Sequence, residues 1–225
     1  MSIFLLNSYV YEVVDIPVEQ IANAEAMSFN GTDQYVNAGN DTSLQITGAL
    51  TLSTWFKSSY SGSNNQRIIS KDSNTSRCYM TQLDGSGNAQ FYIWSSNSGK
   101  SAVSTGTDYR DGNWHHIVGV FNPNAINTQK LAIYIDGVNV GYGSTADTTI
   151  DNDTVDLEIG RKQDNTLFFN GSLDEASVFN TALSAEKITQ IYDATAVVGG
   201  VPQTANLFTG GLDTSLVYWN RMGDS

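Results

Sequence analysis

The thirty residues from 111 to 140, DGNWHHIVGVFNPNAINTQKLAIYIDGVNV, decide the fold class. Alternate side chains of residues 114–120 share one face of a strand, and alternate side chains of residues 131–135 do the same in a second strand. The Asp136-Gly137 pair that follows favours a two-residue hairpin turn, because that turn requires positive φ angles. The stretch therefore predicts neighbouring antiparallel strands of an all-β protein.

The same alternation recurs from residue 26 to residue 194. Segments such as ALTLSTWFKSS at 49–59 and GNAQFYIWSS at 87–96 alternate aliphatic with polar or aromatic positions. About a dozen such segments follow one another at spacings of about ten residues, which is typical of a sandwich or barrel. A single helix is predicted at 184–193, with Ser184 as its N-cap. We therefore expect an antiparallel two-sheet sandwich with one short helix near its C-terminal end.

The charge of the chain excludes one class of partner. Its 225 residues include 23 Asp and Glu but 11 Lys and Arg, and a chain with a net charge of −12 repels nucleic acid. Cys78 is the single cysteine, so no internal disulfide is expected. The N-terminal sequence MSIFLLNSYVYEVVDIP has neither the basic start nor the cleavage site of a signal peptide. Since no apolar run approaches the ~20 residues that cross a bilayer, no membrane span is expected.

The composition divides the chain into three regions. Residues 1–25 open with an apolar, β-prone stretch, which we interpret as an anchoring or assembly segment that adds a strand to a partner. The alternative is that this stretch packs on its own sandwich. Residues 26–194 form the sandwich. Residues 195–225 begin with the linker-like TAVVGGVPQTAN and end in LDTSLVYWNRMGDS, which indicates a linker and docking tail or the start of a further module.

Seven motifs follow one another between residues 26 and 194. In chain order they are FNGTDQYV, LTLSTWFK, IISKD, DGNWHHIVGVF, LAIYIDGVNV, LEIGR and FFNGSLDEASVFNTALSAEKITQIY. This order resembles the laminin-G-like jelly-roll domains of the concanavalin-A-like lectin/glucanase superfamily, as found in phage structural proteins. The resemblance implies a concanavalin-A-like jelly roll. It also implies that His115 and His116 are structural, which agrees with the opposite directions of successive strand side chains.

The resemblance further implies a structural calcium ion. Asp174 would supply the carboxylate, and Asn30 and Gly31 would supply backbone carbonyls, since calcium accepts such mixed oxygen ligands. The alternative is that Asp174 makes a turn or caps a loop. Both interpretations stay open in the sequence.

Four aromatic side chains are candidates for a glycan-binding platform. Trp55, Tyr92 and Trp94 are out of phase with the aliphatic positions of their strands, and Tyr109 lies in a predicted loop. Aromatic rings present a flat apolar face with a polar edge, which suits a sugar ring. The alternative is that each of these rings packs against the sandwich itself.

The acidic residues do not form a convincing catalytic set. Asp156 and Glu158 share a strand face, as the two carboxylates of a glycoside hydrolase would, but a third acid is missing because Ile159-Gly160-Arg161 follows. Asp174 and Glu175 are successive strand residues and are expected to point apart. The sequence therefore predicts no catalytic residues and no enzymatic activity.

These expectations favour a non-enzymatic virion protein: a phage decoration, fibre or tail-associated module on the particle surface that presents a glycan-binding sandwich. Residues 1–25 would contact other virion proteins in a homo-oligomer or larger assembly, and the sandwich would meet cell-surface glycans. The alternative is a carbohydrate-binding or adhesion module of a larger bacterial protein, at the cell surface or outside the cell. A polysaccharide-degrading enzyme on the same fold is the third candidate.

Overall fold

A computed structural model of the chain describes residues 17–23, 25–96, 98–104 and 106–222. Within them lie fifteen strands, one α-helix and two single-turn 3₁₀ helices. In chain order the elements are β1 (Glu19–Ile21), β2 (Met27–Asn30), β3 (Val36–Gly39), a 3₁₀ turn (Thr42–Leu44), β4 (Leu50–Lys57), β5 (Gln66–Asp72), β6 (Arg77–Leu83), β7 (Ala89–Ser95), β8 (Ser98–Val103), β9 (Trp114–Phe121), a second 3₁₀ turn (Asn127–Gln129), β10 (Leu131–Ile135), β11 (Val138–Gly143), β12 (Leu157–Ile159), β13 (Asn170–Phe179), α1 (Ala185–Ala194), β14 (Thr204–Asn206) and β15 (Leu216–Asn220).

Two large antiparallel sheets face each other. The front sheet has the order β11-β10-β9-β4-β13-β15, and β2 shares with β15 the edge of the long strand β13. The back sheet has the order β3-β12-β5-β6-β7-β8. A third, two-stranded sheet joins β1 to β14. The predicted all-β antiparallel sandwich with one short helix is therefore confirmed.

The core between the two sheets follows from the period-two alternation. Phe56 of β4 and Ile117 of β9 point inward from the front sheet, and Phe91 and Ile93 of β7 point inward from the back sheet, all fully buried. Cys78 belongs to the same core, and burial raises the pKa of its thiol to about 11. Such a thiol stays protonated at neutral pH.

The stretch from 111 to 140 forms the predicted hairpin. Strand β9 pairs with β10 in the register Phe121–Leu131, and β10 returns into β11 through Asp136 and Gly137, whose φ angles are 52° and 76°. Both turn residues are left-handed, as a two-residue hairpin loop requires. This part of the prediction is confirmed.

The outer face of the front sheet is covered by α1 and by the two end segments of the chain. Ser184 caps α1 by accepting a hydrogen bond from the Lys187 amide at 3.3 Å. A second apolar cluster forms beneath this cover, between the helix and the outward side chains of β9 and β13. Its buried members are Val18, Val118, Val120, Ala132, Phe179, Leu183, Ile188, Ile191, Ala194, Ala205, Leu207 and Leu212.

The described parts of the two end segments pack on the sandwich. Residues 19–21 pair with residues 204–206, and β15 pairs with β13 from Ala176–Asn220 to Phe179–Leu216. The assembly role assigned to residues 1–25 stays a prediction, and residues 1–16 lie outside the described part. The role assigned to residues 195–225 also stays a prediction. Among the described residues, no helix has the length and apolar character needed to cross a bilayer.

A β-bulge in β13 fastens both end segments to the front sheet. The register against β4 shifts between Asp174 and Ser177, and Glu175 adopts a left-handed φ of 51°. The extra residue turns both carboxylates toward the outer face. Asp174 Oδ2 accepts a hydrogen bond from Asn23 Nδ2 at 2.9 Å, and Glu175 accepts one from Thr204 Oγ1 at 2.7 Å. The expectation that the two acids point apart is therefore wrong, because a bulge breaks the alternation.

Candidate functional site

A groove of about 400 Å³ opens on the outer face of the front sheet, where the cover ends. Its floor is a row of side chains on adjacent strands, because Trp114 of β9 lies opposite Lys57 of β4, which lies opposite Ser172 of β13. Residues that pair directly across strands share one face of the sheet. At about 4.8 Å per strand spacing, the row spans roughly 10 Å.

The two walls of the groove come from the two end segments. Glu25 and Ala26 form one wall just before β2, and Gly200 and Val201 form the other after α1. The Trp114 indole Nε1 donates a hydrogen bond to the Gly200 carbonyl oxygen at 2.9 Å. This contact fixes the edge of the indole against the second wall.

A close backbone approach shapes the floor beside Lys57. Gly171 has a φ of 144°, and a Cβ atom at that position would lie 2.0 Å from the Lys57 carbonyl oxygen. No side chain fits there, so glycine allows β13 to pass β4 at this point. The Ser172 hydroxyl that follows then faces the groove, 3.4 Å from the Ser28 hydroxyl of β2.

The groove presents complementary chemical groups. Lys57 and Glu25 are both exposed, and no ion pair joins them to each other or to other residues in the described part of the chain. Trp114 is half-buried and contributes apolar ring surface. A ligand in the groove would thus meet one aromatic ring, an ammonium donor, a carboxylate acceptor and a hydroxyl.

Two of the four predicted platform residues lie together, but away from the groove. Tyr92 and Trp94 stack on the outer face of the back sheet, with ring centroids 5.6 Å apart. The Arg77 guanidinium lies 5.8 Å from the centroid of the Trp94 ring. Trp94 is only 7% exposed, whereas Tyr92 is half-buried, so Tyr92 offers more of its ring to a ligand.

The other two predicted platform residues have packing partners. Trp55 is 2% exposed; its ring stacks on Tyr192 at 5.6 Å and its Nε1 donates to Thr195 Oγ1 at 2.8 Å. Trp55 therefore anchors α1 to the front sheet. Tyr109 packs edge-on against the His115 ring at 5.2 Å and touches the core between the sheets. The structure does not bring the four aromatic candidates together.

Trp114 was missed because it is in phase with the aliphatic positions of β9, whereas the candidates were chosen out of phase with them. Its phase was assigned correctly, with His116 and Val118, which are both buried. The available signal was its position as the first residue of the strand, directly after the Asp111-Gly112-Asn113 turn. The cover of α1 and the end segments buries the middle of β9 but leaves the side chain at the start of the strand partly exposed.

The sequence of the sandwich identifies its family. Residues 30–189 match the family described as the concanavalin A-like lectin/glucanases superfamily, and this range is well over half of the chain. The chain belongs to this superfamily. The predicted resemblance is thereby confirmed for the domain, while its phage context stays a prediction.

Several solved structures share the fold of this superfamily member at low sequence identity. A native heptameric SAP-like pentraxin from Limulus polyphemus matches with a TM-score of 0.55 and 18% identity, covering 80% of this chain and 91% of the pentraxin. The CBM40 domain of the Ruminococcus gnavus IT-sialidase, bound to α2,3-sialyllactose, matches with a TM-score of 0.56 and 11% identity, covering 77% and 96%.

A third similar structure is the binding domain of Paraclostridial Mosquitocidal Protein 1, with a TM-score of 0.61 and 11% identity. The match covers 80% of this chain and 46% of that domain, so the chain spans under half of its length. Comparison with curated protein sequences found no match. At these identities the solved structures show the shared fold.

The three residues of this chain that were predicted to bind calcium do not converge. Asn30 pairs with Asn170, which precedes Asp174 by four residues in β13, a separation of roughly 13 Å at ~3.3 Å per residue. Gly31 lies still farther along, and the Asn30 carbonyl accepts a hydrogen bond from Asn170 Nδ2 at 3.1 Å. Among the described residues, no three His, Cys, Asp or Glu side chains gather as a metal site. Calcium binding by the chain stays a prediction, without these three residues as a common ligand set.

The acid pair of the back sheet has structural partners. Glu158 is 1% exposed and accepts two hydrogen bonds from Arg161, at 2.6 Å from Nε and 2.7 Å from Nη2. The Asp156 carboxylate accepts a hydrogen bond from Asn37 Nδ2 at 3.0 Å. A carboxylate in a buried bidentate ion pair serves poorly as a nucleophile or general acid, because its charge is already neutralised by the guanidinium.

Proposed function

We propose that the chain is a non-enzymatic glycan-binding module and that its ligand lies in the groove. The observation that carries the proposal is the row formed by Trp114, Lys57 and Ser172 on the groove floor. Apolar ring surface beside a few fixed polar groups is the usual composition of a small-ligand site, and such sites measure about 300–1,000 Å³. The indole would stack on the C–H face of a sugar, and the polar side chains would bind its hydroxyl groups.

The comparisons support the choice of ligand class. The Ruminococcus gnavus domain has the same fold and is bound to a sialylated trisaccharide. The mosquitocidal protein shares the fold in a region named as its binding domain. The non-enzymatic part of the proposal is supported by the bidentate pairing of Glu158 with Arg161, which occupies one of the two acids that a glycoside hydrolase would need.

A pair of matched variants tests the location of the site. We expect Trp114→Ala to lose binding on a glycan array by more than tenfold, because stacking surface and an ordered wall are both removed. Tyr92→Ala removes a ring of the back sheet and should leave binding unchanged. Circular dichroism and melting temperature would establish that both variants are folded.

The stacked pair of Tyr92 and Trp94 is the second candidate location. It is favoured by the ring stacking at 5.6 Å and by the neighbouring guanidinium of Arg77. The reverse outcome, in which Tyr92→Ala loses binding and Trp114→Ala retains it, would move the glycan site to the back sheet. Retention of binding by both variants would contradict both locations.

The place of the module in a larger assembly is a separate proposal. A virion protein that displays this sandwich on a phage surface would use the groove to meet host glycans, and residues 1–25 to contact other virion proteins. The alternative is an adhesion module of a bacterial extracellular protein. Mass spectrometry of purified particles distinguishes them, since a virion protein is present at fixed stoichiometry and an adhesin is absent.

A further inference from the structure

We infer that the groove selects sugars that carry a single anionic group, carboxylate or sulfate, and that Lys57 is the residue that recognises this group. The inference rests on the proposed glycan-binding function and adds a ligand class to it. It depends on three features of the molecule: the state of its other cations, the position of Lys57 and the charge around the groove.

Lys57 differs from the other ten Lys and Arg side chains, all of which lie in the described part of the chain. Six Lys and Arg side chains form ion pairs, two donate to backbone carbonyls, and two donate to neutral side chains. In that order they are Arg67, Arg77, Lys100, Arg110, Arg161 and Lys162; Lys71 and Lys130; Lys187 and Arg221. Across the described part of the chain, the Lys57 ammonium alone of the eleven makes neither a hydrogen bond nor an ion pair. In an acidic protein that otherwise engages its cations internally, this one is available to a ligand.

The position of Lys57 aims that charge into the groove. It is the exposed last residue of β4, flanked across the sheet by Trp114 on one side and Ser172 on the other. An acidic sugar that stacks on the indole would therefore place its anion one strand spacing away, about 4.8 Å, within reach of a flexible lysine. A hydrogen bond from an ammonium to an anion is roughly twice as strong as a neutral one.

The surrounding charge limits how many anions the ligand can carry. Glu25 lines the opposite wall, where its carboxylate can accept sugar hydroxyl groups but repels a second anion. The net charge of −12 repels long polyanions. At physiological salt, charges more than about 8 Å apart are largely screened, so the distant carboxylates do not prevent a single contact at Lys57. One anionic group beside Lys57, with hydroxyl groups toward Glu25, fits this arrangement.

Matched sugar pairs test the inference with the full-length chain. Lactose and α2,3-sialyllactose form one pair, and methyl β-glucoside and methyl β-glucuronide form another, with binding measured by calorimetry or ligand-observed NMR. A glycan array with neutral, sialylated, uronate-bearing and sulfated members extends the test. We expect the acidic members to bind roughly tenfold more tightly, with a preference that declines as salt rises from about 0.05 to about 0.5 M.

Three variants separate the roles of the groove residues. Lys57→Gln should reduce the ratio of acidic-sugar to neutral-sugar affinity to less than about twofold, and Lys57→Arg should restore most of that ratio. Trp114→Ala should weaken acidic and neutral members alike. Glu25→Gln should leave the acidic preference in place or increase it.

Each outcome decides between the two proposals. Equal binding of acidic and neutral members by the wild-type chain, or an unchanged preference in Lys57→Gln, would overturn the role of Lys57 and leave glycan binding standing. Failure of every sugar and array member to bind, or binding that is indifferent to Trp114→Ala, would overturn the groove as a glycan site, and the inference with it.

Discussion

His115 and His116 are consecutive residues of β9 whose rings occupy opposite electrostatic environments. The His115 ring bridges two carboxylates, with Nδ1 at 2.8 Å from Asp136 Oδ2 and Nε2 at 3.3 Å from Asp111 Oδ1. The His116 ring is 1% exposed, lies against Trp55 at 5.3 Å and has Nε2 2.8 Å from the Ser53 hydroxyl. The alternation of strand side chains produces this difference, and it gives the two rings opposite responses to pH.

His115 should stabilise the fold on the acidic side. Its hydrogen bond to Asp136 raises the pKa of the imidazole above the usual 6.5, against the opposing effect of burial. The stabilisation is therefore complete below 6.5 and is lost as pH rises through the raised pKa. We expect His115→Gln to cost about 1 kcal/mol of unfolding free energy near pH 5.5 and less near pH 9, measured by urea denaturation. An equal cost at both pH values would contradict the bridging role.

His116 should destabilise the fold on the acidic side. Burial lowers the pKa of its imidazole from 6.5 to about 4, so the ring is neutral in the folded state at neutral pH. Between those two values the unfolded chain binds more protons, and the fold loses stability as pH falls from 6.5 toward 4. The loss amounts to about 3 kcal/mol at ~1.36 kcal/mol per pKa unit.

His116→Gln provides the test, because glutamine can keep a hydrogen bond to Ser53 but does not titrate. We expect this variant to be less stable than the wild type at neutral pH and to show a smaller decline between about pH 6.5 and pH 4.5. His115→Gln serves as the control, since it should keep the full acidic decline. An identical slope in wild type and His116→Gln would show that His116 is not the titrating group.

Trp55 should prove to be a structural residue. Trp55→Phe keeps an aromatic ring beside Tyr192 but removes the 2.8 Å hydrogen bond to Thr195, which should cost about 1–2 kcal/mol of unfolding free energy. Thr195→Val should cost a similar amount, and the double variant should cost little more than either. Glycan binding should persist in all three. Loss of binding at an unchanged melting temperature would instead return Trp55 to the ligand site.

Glu175 should hold the C-terminal segment in place. Its carboxylate accepts hydrogen bonds from Thr204 Oγ1 at 2.7 Å and from Trp219 Nε1 at 3.0 Å, and it is 5% exposed. Glu175→Gln weakens both contacts and should cost about 1–3 kcal/mol. Limited proteolysis should cut residues 195–222 of this variant first, whereas Trp219→Phe, which removes one donor, should release them more slowly. If the rate of cleavage within 195–222 were the same in Glu175→Gln as in the wild type, Glu175 would not hold this segment in place.

Local patterns were sufficient to predict the sandwich but not the groove. The alternation of Phe91 and Ile93 against Tyr92 and Trp94 fixed which side chains enter the core, and the structure agrees. The bulge at Glu175 was not predictable from local propensity, because glutamate rarely adopts a left-handed φ and its partners, Thr204 and Trp219, are distant in sequence. Because of this bulge, the expectation that Asp174 and Glu175 point apart was wrong.

The groove could not be predicted because its parts are distant in sequence. Lys57, Trp114 and Ser172 meet only because their strands are neighbours in the front sheet. The two-residue alternation within a strand does not reveal which strands are its neighbours. The aromatic candidates were selected by phase within each strand. Phase identifies a face of the sheet, but what covers that face is decided by α1 and the end segments.

The range that matches the superfamily, 30–189, contains the whole floor of the groove and neither of its walls. Glu25 and Ala26 precede it, and Gly200 and Val201 follow it. A recombinant domain trimmed to the shared range would lose both walls, together with β15, most of β2 and the second half of α1. Trp114 would then lack its hydrogen bond to Gly200. The groove therefore depends on sequence outside the shared range, so the boundaries chosen for cloning decide whether it is present at all.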